Sequence, residues 1–170
     1  MARPGALGRA APSTMVPALP ALPRVPPGFG QILVASQAMV ACLPQKHALA
    51  KARSIALQDL QGQALVVVSR TVSPDYHERI LSECELAGWL PPVVHELRHW
   101  LSVVALVAQG QGVALVPEAL AQSALAGAVF VPLQGSALRY DTRCLWRSGR
   151  DQTALQDFVT AVRTDMVPAG

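Results

Sequence analysis

His95-Glu96-Leu97-Arg98-His99 reads H-E-x-x-H, the spacing with which a helix places two imidazoles on one zinc ion and a carboxylate beside the zinc-bound water. Glu118 lies nineteen positions beyond His99, where a second helix could supply a third ligand. The chemistry would be metal-assisted hydrolysis, and it requires a helix to stack the histidines one turn apart. On a strand the same two residues stand roughly 13 Å apart, at ~3.3 Å rise per residue. One zinc ion, which needs each nitrogen at about 2.0–2.1 Å, cannot reach both.

The surrounding sequence favours the strand. Pro91-Pro92 forces an extended entry, Val93-Val94-His95-Glu96-Leu97-Arg98 has a strand pattern, and Leu101 to Ala108 turns helical up to Gly110. The segment before Glu118 carries Gln109-Gly110-Gln111-Gly112 and a buried-strand run rather than a second helix. His95 and His99 are therefore read as exposed residues near a cleft, and no metal is expected. His47 and His77 have no ligand spacing of their own. There is no G-x-S-x-G, no cysteine beside an obvious base, and Gly110-Gln111-Gly112 leaves a helix and enters a strand, the reverse of a phosphate loop. No catalytic site and no cofactor are expected.

The remaining elements alternate. Gln31–Ala35 and Met39–Leu43 read as two short strands, the second stopped by Pro44, and Ala64–Val68 as a strand buried on both faces. Ser73 is placed to cap a helix that opens on Pro74, carries Asp75 and Glu78 in its first turns, and closes at Gly88. Its apolar positions are Tyr76, Ile80, Leu81, Cys84 and Ala87. A strand over 112–117, a short helix over 118–126, strands over 129–133 and 141–147, and an amphipathic helix over 153–163 follow. This alternation predicts an α/β sheet of mainly parallel strands, with ligand chemistry at the strand carboxyl ends.

Composition bounds the rest. The 170 residues, 51% hydrophobic and 15% charged, suffice for a buried core. No apolar run approaches the ~18 residues a membrane span needs. The net charge of +3 comes from the first part of the chain, where no Asp or Glu precedes Asp59. From there on eight arginines face eleven acids, so the pI is weak evidence for nucleic acid. Three scattered cysteines suit reduced thiols and a cytoplasmic location. Residues 1–27 read as a disordered Pro-rich tail without a signal's apolar stretch.

The order of motifs resembles the effector-binding domain of LysR-type transcriptional regulators. The matching pieces are Leu43-Pro44-Gln45-Lys46-His47-Ala48-Leu49-Ala50, the strand to Val68 with Ser69-Arg70 and Ser73-Pro74, His95 to Trp100, and Leu106-Val107-Ala108-Gln109-Gly110-Gln111-Gly112-Val113-Ala114-Leu115-Val116-Pro117. The resemblance implies a type 2 periplasmic-binding-protein-like α/β fold of two lobes with mainly parallel sheets. Residues 61–135 form lobe II; 28–60 and 136–165 form an incomplete lobe I. It also implies a truncated member that lacks the family's winged helix-turn-helix and senses a small aromatic or carboxylate metabolite, with homo-oligomerisation a further expectation. The family binds promoter DNA, and this chain would perform only the sensing half. Effector contacts carried over are Ser69, Arg70 and Thr71 after the first strand of lobe II, and Trp100, Leu101 and Ser102 at a helix start. Helix amino termini, hydroxyls and a guanidinium suit a carboxylate. The alternative class sharing the fold is a transporter's solute-binding protein; a zinc peptidase ranks below both.

Overall fold

The computed structural model describes residues 19–20, 25–149 and 153–165. In chain order the elements are β1 (Leu19–Pro20), β2 (Phe29–Pro44), β3 (Leu65–Val68), α1 (Pro74–Leu86), β4 (Val93–Leu97), α2 (Trp100–Ala108), β5 (Ala114–Pro117), β6 (Ala128–Pro132), β7 (Arg139–Arg147) and α3 (Thr153–Asp165). Single 3-10 turns occupy Leu57–Leu60 and Glu118–Ser123.

The two short strands expected over 31–43 are one strand of sixteen residues. A bulge between Leu33 and Ala35 interrupts its ladder with β7, shifting the register so that Leu33 faces Arg143 and Ala35 faces Thr142. The polar residues Ser36 and Gln37, which look like a break in the sequence, instead sit inside the ladder opposite Asp141 and Tyr140. Beyond them β2 pairs with β5 through Met39–Cys42 and with β6 through Val40–Pro44. Neighbours on both sides explain why Met39 to Leu43 are all buried while residues 30–38 are only half-buried.

All three of these ladders are antiparallel, which corrects the expectation of mainly parallel sheets. Parallel pairing among the described residues is confined to β3–β4, to a single bridge from Leu65 to Val113 and to another from Ile55 to Leu133. The reason lies in the connections. A parallel crossover needs a covering element, usually a helix, and only β3-α1-β4 and β4-α2-β5 contain one. The long strands β2 and β7 instead run past each other in opposite directions. Leu19–Pro20, within the segment expected to be a disordered tail, pairs with Arg143 and Thr142 of β7; the rest of that segment up to residue 24 lies outside the described residues.

The core forms where the parallel and antiparallel parts meet. Leu65, Val66, Val67 and Val68 are buried on both faces, against Ile80 and Cys84 of α1 and Val103, Val104 and Val107 of α2. The link from α2 to β5 depends on two glycines. Gly110 ends α2 with φ +79°, and Gly112 takes φ +144° where a Cβ would lie 2.6 Å from the Ala64 carbonyl oxygen. That carbonyl accepts the Val113 N–H at 2.9 Å, and the Val113 carbonyl accepts the Val66 N–H at 2.9 Å.

Candidate functional site

The zinc motif divides between two elements, as its flanks predict: His95 and Glu96 lie on β4, and His99 is the extended residue before α2, with φ −132° and ψ 137°. Both histidines are exposed. Among the described residues no group of three or more His, Cys, Asp or Glu side chains is placed to hold a metal ion.

The two segments carried over as contacts meet at the carboxyl end of the β3–β4 pair. The Ser69 amide donates to the Leu97 carbonyl at 2.7 Å, tying the loop after β3 to the end of β4 just before α2 begins. Within that loop the Ser69 and Thr71 hydroxyls are 2.9 Å apart, and the Thr71 amide donates to Ser69 Oγ at 3.3 Å. Arg70 pairs with Glu78 at 2.7 Å, an exposed contact worth at most about 1 kcal/mol and easily exchanged for a ligand. On α2, Trp100 is half-buried, while Leu101 and Ser102 face solvent. The amides of Ser102 and Val103 return to the His99 carbonyl, so the Trp100 and Leu101 amides are the ones left without an intrahelical partner at this end.

The helix start at α1 is organised differently. Ser73 occupies the capping position, but its side chain makes no capping bond, and its buried Oγ finds no partner among the described residues. Buried His77 does the anchoring: Nδ1 lies 3.3 Å from the Val68 carbonyl and Nε2 lies 4.0 Å from Glu96 Oε1. The first turn of α1 is thereby tied to the end of β3 and lies close to β4. Read by spacing, His77 has no role, because the atoms it meets are far away in sequence.

Next to this corner, three rings from three elements form an edge-to-face cluster. Tyr76 of α1 and Trp100 have centroids 4.6 Å apart at 73°, and Trp100 and Tyr140 of β7 5.5 Å apart at 89°. Such geometry aligns ring edges with ring faces. Tyr76 OH donates to the Leu115 carbonyl in the core. Burial, reinforced by Tyr140 and Cys84, pushes the Tyr76 hydroxyl well above its ordinary pKa. Tyr76 therefore presents its ring to the cluster and not its hydroxyl. Removing that hydroxyl in Tyr76→Phe strands a buried acceptor, and the expected cost is about 1–3 kcal/mol by urea unfolding; an unchanged midpoint would contradict the bond.

Between α1 and the start of β7 opens a small cleft of about 30 Å³, continuous with solvent and lined by Met39, Asp75, Tyr76, Arg79, Ile80 and residues 138–141. Arg79 Nη1 crosses to donate to the Arg139 carbonyl at 3.1 Å. Arg139 itself donates to Ser36 through Nε (2.9 Å, to Oγ) and Nη2 (2.8 Å, to the carbonyl). Ser36 Oγ donates to Asp141 Oδ1 at 2.7 Å, and Arg143 lies 3.5 Å from Asp141 Oδ2. Sequence reasoning does not single out Arg79, Tyr140 or the cleft-lining position of Tyr76. The only advance signal was that Tyr76 is a polar-tipped aromatic in an otherwise aliphatic stripe.

A parallel β3–β4 pair with helix starts at its carboxyl end, joined to long antiparallel strands beside a solvent-open cleft, defines a mixed α/β domain. The LysR substrate binding domain family matches residues 18–167, and the chain belongs to that family. Its relatives include the HTH-type transcriptional regulator AlsR of Bacillus subtilis, 32% identical over 48% of this chain and 27% of that protein. XapR of Escherichia coli, also an HTH-type transcriptional regulator, is 26% identical over 64% of this chain and 36% of that protein. The chain thus spans about a quarter to two-fifths of the length of the curated relatives it matches. Among solved structures, the BenM effector binding domain with its effector benzoate superposes with TM-score 0.72 at 19% identity, covering 85% of this chain and 66% of that one. CbnR, a LysR family transcriptional regulator, gives 0.76 at 20% identity over 86% and 50%. At these identities the likeness establishes the fold. Among the described residues no helix is long and apolar enough to cross a membrane.

Proposed function

We propose that this chain is the sensor part of a transcriptional regulator, a non-catalytic cytoplasmic domain that binds a small aromatic or carboxylate metabolite. One observation carries the reading: the loop at Ser69–Thr71 and the α2 start at Trp100–Ser102 converge at one strand end, beside an aromatic cluster that borders a cleft. Free amides at a helix start and the Arg70 guanidinium attract a carboxylate, and the rings of Tyr76, Trp100 and Tyr140 suit a flat apolar body. Ligand in the cleft would favour one relative setting of the two lobes, 61–135 and 28–60 with 136–165, and transmit it to promoter DNA through the remainder of a regulator and its oligomer.

Benzoate, the effector named for the BenM domain, is the first probe, followed by substituted benzoates and other aromatic carboxylates. Calorimetric titration of the 170-residue protein should give saturable heat with at least one of them. Trp100→Ala should weaken that ligand about tenfold through loss of the ring contact. Silence from the entire series would remove the effector reading.

A further inference from the structure

We infer that Tyr140 is a latch on the proposed effector corner: its ring occupies, against Trp100, the place that an aromatic effector takes, so that binding exchanges one ring for another and releases the start of β7 from α1 and α2. The inference rests on the effector reading above and assigns the three rings of the cluster different parts in it.

The rings differ in how firmly they are held. Tyr76 is buried and its hydroxyl is bonded to the Leu115 carbonyl, which fixes its ring to the core. Trp100 is the first residue of α2, a helix anchored by the fully buried Val103, Val104 and Val107. Tyr140 comes from the other side of the cluster. It is half-buried, and among the described residues its strand forms ladders with β1 and β2 alone. Alternation along β7 turns it away from Arg139 and Asp141, which meet Ser36. Its ring lies edge-to-face with both others, 5.5 Å from Trp100 and 6.4 Å from Tyr76. The Arg79 bond to the Arg139 carbonyl, at 3.1 Å and exposed, crosses from α1 to β7 one residue away. Side chains, and no ladder, therefore hold Arg139 and Tyr140 against the two helices.

Volume shows that this contact is shut. The cleft between α1 and β7 measures about 30 Å³, room for about one water, whereas pockets for small organic ligands run to roughly 300 Å³ and more. An aromatic acid cannot enter between α1 and β7 as they stand. Of the two rings packed on Trp100, Tyr76 is tied down by a core bond, so Tyr140 is the one that gives way. A flat ring placed against Trp100 restores the aromatic partner that Tyr140 gives up, and the carboxylate contacts then decide the exchange. Such a ligand binds the open arrangement in preference to the shut one, which is what a population shift requires.

Tyr140→Ala and Tyr140→Leu remove the competing ring, the second while keeping apolar bulk in the strand. In calorimetry on the full chain with benzoate and the other aromatic carboxylates, both variants should hold the acid that the unaltered protein binds best about three- to tenfold tighter, the scale of one aromatic pair. The gain should lie in the association rate, followed by stopped-flow tryptophan fluorescence, because no opening step precedes entry. Tyr140→Phe keeps the ring and should show no gain. Weaker binding by the Ala and Leu variants would make Tyr140 a wall of the site, and unchanged binding would make it packing alone. Either result overturns the latch and leaves the effector reading standing. Silence of the unaltered protein and the variants alike removes the effector reading, and the latch with it. If Tyr140→Ala fails to fold, Tyr140→Leu decides.

Discussion

Gly112→Ala is expected to destabilise the protein by about 2–4 kcal/mol, seen as a lower urea midpoint, and to lower the yield of folded protein. Two costs combine. A φ of +144° lies where an L-side chain is strained, and the added methyl would meet the Ala64 carbonyl oxygen at 2.6 Å. The carbonyl cannot retreat cheaply, because it accepts the Val113 amide in the link that joins β3 to β5. Nearby Gly110 provides the control: its φ is +79°, but nothing lies within 4 Å of a Cβ there, so Gly110→Ala should cost only the conformational part, about 1 kcal/mol. Equal losses at the two positions would show that the close approach at Gly112 has no energetic weight.

The second large effect is a loss of stability in alkali. Burial pushes the Cys42 thiol up to about 12, and burial reinforced by Glu83 pushes Cys84 up to about 11, from an ordinary 9.0. Tyr76 is raised in the same sense. A raised pKa of a neutral acid means that the unfolded chain gives up its protons first. The contribution is therefore fully present below pH 9.0 and declines as the pH rises toward 11 and then 12, by which point a few kcal/mol are gone. Urea midpoints measured from pH 7.5 to 11 should hold level and then fall steeply above about 9, and Cys42→Ala should flatten part of that fall. The same burial makes both thiols inert to iodoacetamide at pH 8 until urea is added. A midpoint level to pH 11, or fast alkylation of Cys42 in the native protein, would contradict this account.

Local features that carry their own cause were legible in the sequence. The Val66–Val68 run names a doubly buried strand, Pro74 opens α1 at its first position, and the flanks of His95–His99 announce a strand feeding a helix. What failed depends on distant partners. Residues 29–44 look like two strands because Ser36 and Gln37 interrupt the apolar pattern, and only Asp141, Arg139 and Ala119 show why polar side chains belong there. The pairing of Leu19–Pro20 with β7 has no local signal in a Pro-rich stretch. Strand direction was misjudged because alternation of helix and strand suggests crossovers throughout, whereas the chain supplies two.

The site divides along the same line. Ser69 and Trp100 were named from motif order, and they do lie at one corner. Tyr76, with Ile80 and Cys84, fits a core stripe so well that its place beside a cleft was invisible. Arg79 resembles any exposed helix arginine until its reach to Arg139 is seen. His77 lacks sequence partners altogether, since it meets Val68 and Glu96 through the fold.

The bulge in β2 also sets a mechanical scale. From Ala35 the strand runs on into the core between β5 and β6, and toward Phe29 it extends as an arm with β7, which β1 joins beside the bulge. At ~3.3 Å per residue the arm beyond the bulge is roughly 15–20 Å long, so a twist of about 5° at the irregular ladder swings its tip by about 1.5 Å. Arg139 and Tyr140, which border the cleft, lie on the core side of that pivot, and Trp146, folded over Gly30, rides near its tip. The Trp146 indole thus marks the end of the arm farthest from the cleft.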